Sequence, residues 1–299
     1  MFNFTKYSTI YYIFSGILII ASIVSLIVFG LNFGIEFTGG STMEIEFIGE
    51  RPNNEQIREQ FQSFGLNEVV IQPIGSKGMI LKFKGIDEIV HEKLVSELSI
   101  LSELEEKNFQ FIGPSIGEEL KNKTTLSVFL VLFAITLYIT FVFRKVSKPV
   151  SSWKYGITSL IALFHDILIP LGVFSVLGRF YNVEITIPIV AALLTVIGFS
   201  VHDTIVIFDR IRENIRKRGG ELFNETVDLS LNQTLGRSIN TTLTTLFVML
   251  TIFFFGGQTL KYFSLALIIG ITSGAYSSIF IAGPLLVTWK SFSERRFKN

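Results

Sequence analysis

The chain of 299 residues is 49% hydrophobic and only 17% charged, with a mean hydropathy of +0.52; this balance excludes an ordinary soluble domain and points to a membrane protein. It has no Cys, which excludes a disulfide frame and a thiolate metal site. The net charge of +1 conceals an asymmetry: residues 31–124 hold 9 Lys/Arg against 16 Asp/Glu, and the remainder holds 17 against 9, the pattern of an acidic soluble module on a membrane body with basic loops.

In chain order, residues 7–35 are free of charge, and 10–30 are predicted to form a first membrane-spanning helix of the required ~20 residues. The segment is too long for a signal-peptide apolar region and lacks an A-x-A site, so it is read as a retained helix. Residues 31–124 read as a separate α+β domain. Residues 42–48 alternate apolar and polar, as a half-buried strand does. Asn53 and Asn54 are cap candidates for a helix over 55–64, and Asp87 for a second helix carrying Ile89, Val90, Leu94 and Leu98. Strands are expected at 68–74 and 79–84, split by a turn over Gly75–Gly78, with a last strand near 108–112. The order βαββαβ suggests a small ferredoxin-like domain, with little room for an enclosed active site.

Five further spans are expected at 125–143, 155–177, 186–208, 238–256 and 263–288. The domains are therefore 1–30 (cytoplasmic N-terminus and first helix), 31–124 (outer α+β domain) and 125–299 (helices two to six with a cytoplasmic C-terminus). The fold class is an α-helical integral membrane protein with six transmembrane helices and an extracytoplasmic ferredoxin-like domain between the first and second. Loop charge sets the orientation. With the N-terminus in the cytoplasm, the inner segments collect 15 Lys/Arg, and the two short outer loops hold only Arg179 and Lys261. The basic run from Arg210 to Arg218 is then a positive-inside loop touching anionic lipid rather than a nucleic-acid site.

Ionisable residues inside spans are the candidates for chemistry, because each costs a few kcal/mol there. His165 and Asp166 fall near the centre of the third helix. His202 and Asp203 lie near the cytoplasmic end of the fourth, followed by Asp209 at its boundary. Arg237 stands at the start of the fifth, on the same side as Asp203, and is followed by Asn240, Thr241, Thr242, Thr244 and Thr245, which suit a wet path. From physics alone three readings of Asp203 and Arg237 stand open: a static buried ion pair, a proton relay, or Arg237 snorkelling to the interface. His165 and Asp166 read equally as a hydrogen-bonded helix link, and Asp209 as a boundary residue. Gly270, Gly274, Ser278 and Ala282 recur every four residues, a stripe for close helix packing. His91 and Glu92 read as a solvated helix face. The chain has no P-loop, zinc-binding spacing or nucleophile elbow, so no enzyme, cofactor or metal is expected.

Several stretches resemble the SecD/SecF family of export subunits. Gly34-Ile-Glu-Phe-Thr-Gly-Gly40 is similar to the family's G-x-D-F-x-G-G, with Glu36 in place of Asp and with Phe37, Gly39 and Gly40 matching. Phe111-Ile-Gly-Pro-Ser-Ile-Gly117 resembles V-G-P-x-x-G through Gly113, Pro114 and Gly117. Leu163-Phe-His-Asp166 resembles the H-D of the third helix. The most specific match runs from Gly198 to Asn214 and is similar to G-[YF]-S-x-N-D-T-x-V-x-x-D-R-I-R-E-N, with His202 where the family has Asn. Leu231-Asn-Gln-Thr-Leu-Gly-Arg237 resembles N-Q-T-x-x-R. The short outer region fits the family's smaller-domain branch. The resemblance implies that Asp203 is the proton-coupling carboxyl and Arg237 its partner, with His202 sharing the proton or standing in passively. It also implies an RND-like half-unit in the bacterial cytoplasmic (inner) membrane, working with SecD beside the SecYEG channel on a translocating secretory polypeptide. A half-transporter for a lipid or small molecule is the alternative.

Overall fold

The computed structural model describes residues 2–145, 150–218 and 222–296. The chain forms two compact units, Phe33–Thr125 and a helical unit made of Met1–Asn32 with Leu126–Asn299. In chain order the elements are α1 (Ser8–Phe29), α2 (Ile35–Thr38), β1 (Gly40–Phe47), α3 (Asn54–Ser63), β2 (Val70–Ile74), β3 (Gly78–Phe83), α4 (Glu88–Leu101), β4 (Leu104–Ile112), α5 (Pro114–Val142), α6 (Ser152–Tyr181), α7 (Ile187–Arg218), α8 (Phe223–Phe255), α9 (Gln258–Ser277) and α10 (Gly283–Arg296).

Six helices are long and apolar enough to cross a membrane: Thr5–Phe29, Pro114–Val142, Ser152–Tyr181, Ile187–Lys217, Phe223–Phe255 and Leu260–Ser293. The interior of the helical unit is built from α6, α7, α9 and α10, with Tyr155, Leu163, Phe208, Ile211 and Leu286 among its buried side chains. The other three helices expose apolar residues: Ile17, Ile20 and Ile27 on α1, Phe129 and Phe133 on α5, Phe247 and Phe254 on α8. Exposed faces of this kind suit lipid as the surrounding solvent.

Each span is longer than hydropathy predicts, and for α5, α7 and α8 the sequence shows why. Past residue 208, α7 continues through Arg210, Arg212 and Lys217, where Arg210 and Lys217 pair with Glu213 at 2.5 and 2.6 Å. Such i,i+3 and i,i+4 pairs hold a helix in water after its apolar stretch has ended. Pro114 opens α5, as Pro suits a first helical position. The early start of α8 is explained by Phe223, Val227 and Leu231, buried one turn apart. The last span is interrupted by a π-turn over Ser278–Ala282. Pro284 follows it and cannot donate to the carbonyl four residues back, so the widened turn falls where regular bonding fails.

In the smaller unit the strand order is β2-β3-β1-β4 and every pairing is antiparallel. Met43 stands opposite Leu81 and Ile45 opposite Met79. With Phe47 and Phe83 these side chains fill one face against Ile57 and Phe61 of α3 and Leu94 and Leu98 of α4. The capping residues act as expected. Asn53 Oδ1 accepts from Gln56 N at 2.8 Å while Gln56 Oε1 accepts from Asn53 N at 3.0 Å, and Asp87 Oδ1 accepts from Val90 N at 2.9 Å. The strand expected near 108–112 begins at Leu104, where Lys107 holds Glu46 and Glu105 at 3.3 and 2.8 Å.

Candidate functional site

Among the described residues three carboxyls are buried in the helical unit: Asp228 on α8 at 6% exposure, which accepts from Thr5 N and Thr5 Oγ1 at 2.8 and 2.7 Å, and, within apolar runs, Asp166 on α6 and Asp203 on α7 at 0% and 5%. The last two are the candidates. Their surroundings differ. Asp166 Oδ2 accepts from Ser200 Oγ of α7 at 2.5 Å and from Ser277 Oγ of α9 at 2.7 Å. Its Oδ1 accepts from Ser273 Oγ at 3.1 Å and faces His165 Nδ1 at 2.9 Å. Four groups from three helices thus converge on one side chain. When the carboxyl is ionised, the imidazole proton sits on Nδ1. His165 Nε2 is buried and has no hydrogen-bond partner among the described residues, and the Tyr276 ring stacks on the imidazole at 5.9 Å.

Asp203 has one such contact: Ser238 Oγ of α8 donates to its Oδ2 at 2.6 Å. The family resemblance implies that the Arg237 guanidinium is the partner of Asp203. In this structure Arg237 is exposed and makes no ion pair with Asp203, though its charge acts on the carboxyl from beyond contact distance. Successive helix residues are turned by ~100°, and Ser238 is the one that faces α7. His202 is likewise exposed, and Asp203 is buried, so the two neighbours do not share a hydrogen bond here. Asp209 is exposed and pairs with Arg212 at 3.6 Å, the geometry of a boundary residue. The hydroxyls of Thr241, Thr244 and Thr245 donate to their own helix, to the carbonyls of Arg237, Asn240 and Thr241, which satisfies them without a neighbour. Arg237, Asn240 and Thr244 are exposed along one side of α8.

One helix carries contacts to both centres, because Ser200 and Asp203 are three residues apart on α7. On the same helix, Thr204 Oγ1 lies 2.8 Å from Ser278 Oγ, and Ser278 Oγ donates to the Ser200 carbonyl at 3.4 Å. A hydroxyl both donates and accepts, so this seam stays hydrogen-bonded whether a carboxyl is charged or protonated. Packing along α9 brings it close. A Cβ added at Gly270 would collide with the Val196 side chain, and one at Gly274 would lie 2.9 Å from Ser200 Cβ; Ala282 is fully buried.

In the smaller unit the glycine motifs meet. Gly34 O accepts from Phe37 N at 3.0 Å, closing α2, which carries Glu36 and the buried Phe37. Gly39 has φ +74°, and a Cβ there would lie 2.7 Å from Pro114 Cα; one at Gly117 would lie 2.9 Å from Gly39 N. Only Gly fits such an approach at positive φ. Gly40 follows with φ +139°, and Gly113 O accepts from Ile116 N at 3.0 Å at the start of α5.

Sequence reasoning missed Ser200, Ser273, Ser277 and Ser238, the residues that hold the carboxyls. The available signal was Ser273 and Ser277, one turn apart in an apolar helix beside the glycine stripe. Among the described residues no group of three or more His, Asp or Glu could hold a metal ion.

The family models agree with this architecture. The model described as "Protein export membrane protein SecD/SecF, C-terminal" matches residues 92–292, and the "SecD/SecF GG Motif" model matches residues 24–47. The chain therefore belongs to the SecD/SecF family of protein export membrane proteins, and it is a multi-pass membrane protein of the Sec pathway. Its relatives include proteins named protein translocase subunit SecF. That of Thermobaculum terrenum is 43% identical over 97% of this chain and 95% of its own, and that of Vibrio alginolyticus is 38% identical over 95% and 88%. The crystal structure of SecDF, a translocon-associated membrane protein from Thermus thermophilus, aligns with TM-score 0.84 and 32% identity over 97% of this chain. A SecDF in its super-membrane-facing form aligns with TM-score 0.72 at 32% identity over 99% of this chain. This chain spans 39% and 40% of those two SecDF chains.

Proposed function

We propose that this chain is a SecF-type half-unit of an accessory complex that uses the proton gradient to promote polypeptide export across the cytoplasmic membrane. It works with a SecD partner beside the SecYEG channel and is not an enzyme. Both termini face the cytoplasm, the orientation the loop charges favour, and the acidic unit lies outside. The element order of that unit and its strand order β2-β3-β1-β4 support a ferredoxin-like domain.

The observation that carries the reading is the contrast between the two carboxyls. Asp166 is gripped by four groups; Asp203 is held by one hydroxyl. The loosely held acid, bonded through Ser238 to the turn of α8 that also carries Arg237, is the one whose protonation changes its contacts most. Asp166 with His165 anchors α6, α7 and α9 around it. Gain of a proton at Asp203 weakens its bond to Ser238 and its attraction to Arg237, and α7 and α8 repack. The two-state element thus biased reaches the outer domain through α1 and α5, which flank it in the chain. A proton crossing ~100–200 mV releases roughly 2.3–4.6 kcal/mol to drive the cycle.

The exposed stripe of Arg237, Asn240 and Thr244 supports a partner. Against lipid tails such a stripe costs several kcal/mol, and a second helical half covering it removes that cost. Asp203→Asn in membrane vesicles carrying the full complex is the test. Gradient-dependent release of a secreted precursor is expected to fall to the level seen without a gradient. Release at the normal rate rejects the assignment of Asp203.

A further inference from the structure

The helical unit carries a groove of about 640 Å³, away from both carboxyls, lined by Trp153 and Lys154 at the start of α6 and by residues of α10 including Leu285, Trp289, Phe292 and Ser293. The volume is in the range of small-molecule sites. Its walls are apolar and half open, with Trp153 49% and Phe292 74% exposed. The polar focus is one cation. Lys154 Nζ lies 5.9 Å from the Trp153 ring and 5.7 Å from the Trp289 ring, and the two indoles meet edge to face at 5.4 Å. The ammonium donates to Ser293 Oγ at 2.5 Å and forms no ion pair with a described residue. The groove lies at the start of the third span and the end of the sixth, the level where Trp marks the boundary between hydrocarbon and water.

We propose that this groove binds an anionic phospholipid, its phosphate on Lys154 and an acyl chain along Leu285 and Phe292. The charge of the site selects the headgroup. A cation among apolar walls, with no ion pair to a described residue, is complementary to a net negative lipid. The place over the indole faces, where a choline headgroup would otherwise be attracted, is already taken by the ammonium. Like charge therefore disfavours a zwitterionic lipid at the same spot.

Trp153 and Trp289 are the chain's only two Trp residues, so fluorescence excited at the red edge, where only tryptophan absorbs, reports on the groove alone. The full chain is reconstituted in phosphatidylcholine vesicles containing a minor fraction of either brominated phosphatidylglycerol or brominated phosphatidylcholine. The brominated anionic lipid is expected to quench at about fivefold lower mole fraction. Lys154→Gln abolishes that preference, Lys154→Arg keeps it, and Lys261→Gln, at the opposite end of the sixth span, leaves it unchanged. Equal quenching of the unaltered chain by the two lipids overturns the proposal, as does a preference that survives Lys154→Gln. Relief of quenching by dissolved inorganic phosphate would assign the site to a free anion and overturn it too.

Discussion

Replacing Asp166 by Ala removes the acceptor on which three hydroxyls and one imidazole converge. Some of these groups have alternatives: Ser273 Oγ already lies 3.2 Å from His165 Nδ1, and Ser277 Oγ reaches the Gly274 carbonyl at 3.2 Å. Ser200 Oγ has no second partner among the described residues and is left buried and unpaired. One orphaned hydroxyl costs about 1–3 kcal/mol, and each lost bond to a charged acceptor about 1.5–3. With partial re-pairing the loss is about 3–5 kcal/mol, in line with breaking a buried polar cluster. Thermal unfolding of the full chain in mild detergent, followed by near-ultraviolet circular dichroism, should show a midpoint lower by about 10 °C. Asp166→Asn keeps the shape, and Ser200 and Ser277 can turn to accept from the new amide, so its loss is about 1–2 kcal/mol. Asp166→Ala melting within about 1 °C of the parent, or Asn proving as damaging as Ala, would refute the reasoning.

Ser238→Ala removes the single hydroxyl on Asp203; unfolding should be easier by about 1.5–3 kcal/mol, and gradient-driven precursor release in vesicles should change its pH dependence, whereas an unchanged profile separates Ser238 from proton handling. Gly39→Ala places a methyl 2.7 Å from Pro114 Cα at φ +74°, so the midpoint should drop by the equivalent of about 1–3 kcal/mol. Gly270→Leu drives a side chain into Val196 and should lower the yield of folded protein from membranes, while Gly198→Ala, with nothing within 4 Å of the added Cβ, should leave that yield unchanged.

Six spans were legible because a helix in lipid must be apolar over its whole crossing, and that signal is long. Their ends were less so. The polar extension of α7 rests on Glu213 pairing with Arg210 and Lys217, and that of α8 on Phe223, Val227 and Leu231 turning inward, neither of which raises hydropathy. The strands around Met43 and Leu81 and the caps at Asn53 and Asp87 could be read locally, since alternation and capping involve near neighbours. Asp166 and Asp203 stood out as acids in apolar runs. Their partners did not, because Ser200, Ser273 and Ser277 meet Asp166 only when three helices cross, and Ser rather than Arg facing α7 depends on the rotation of α8.

Ser200 and Asp203 ride on α7 less than one turn apart. A twist of that helix large enough to swing Asp203 off Ser238 also drags Ser200 out of its seat on Asp166. Intermediate angles lose both contacts at once, so they are the least favourable. The shaft therefore rests like a detent in the one seat where both contacts are made, and leaving that seat costs both together.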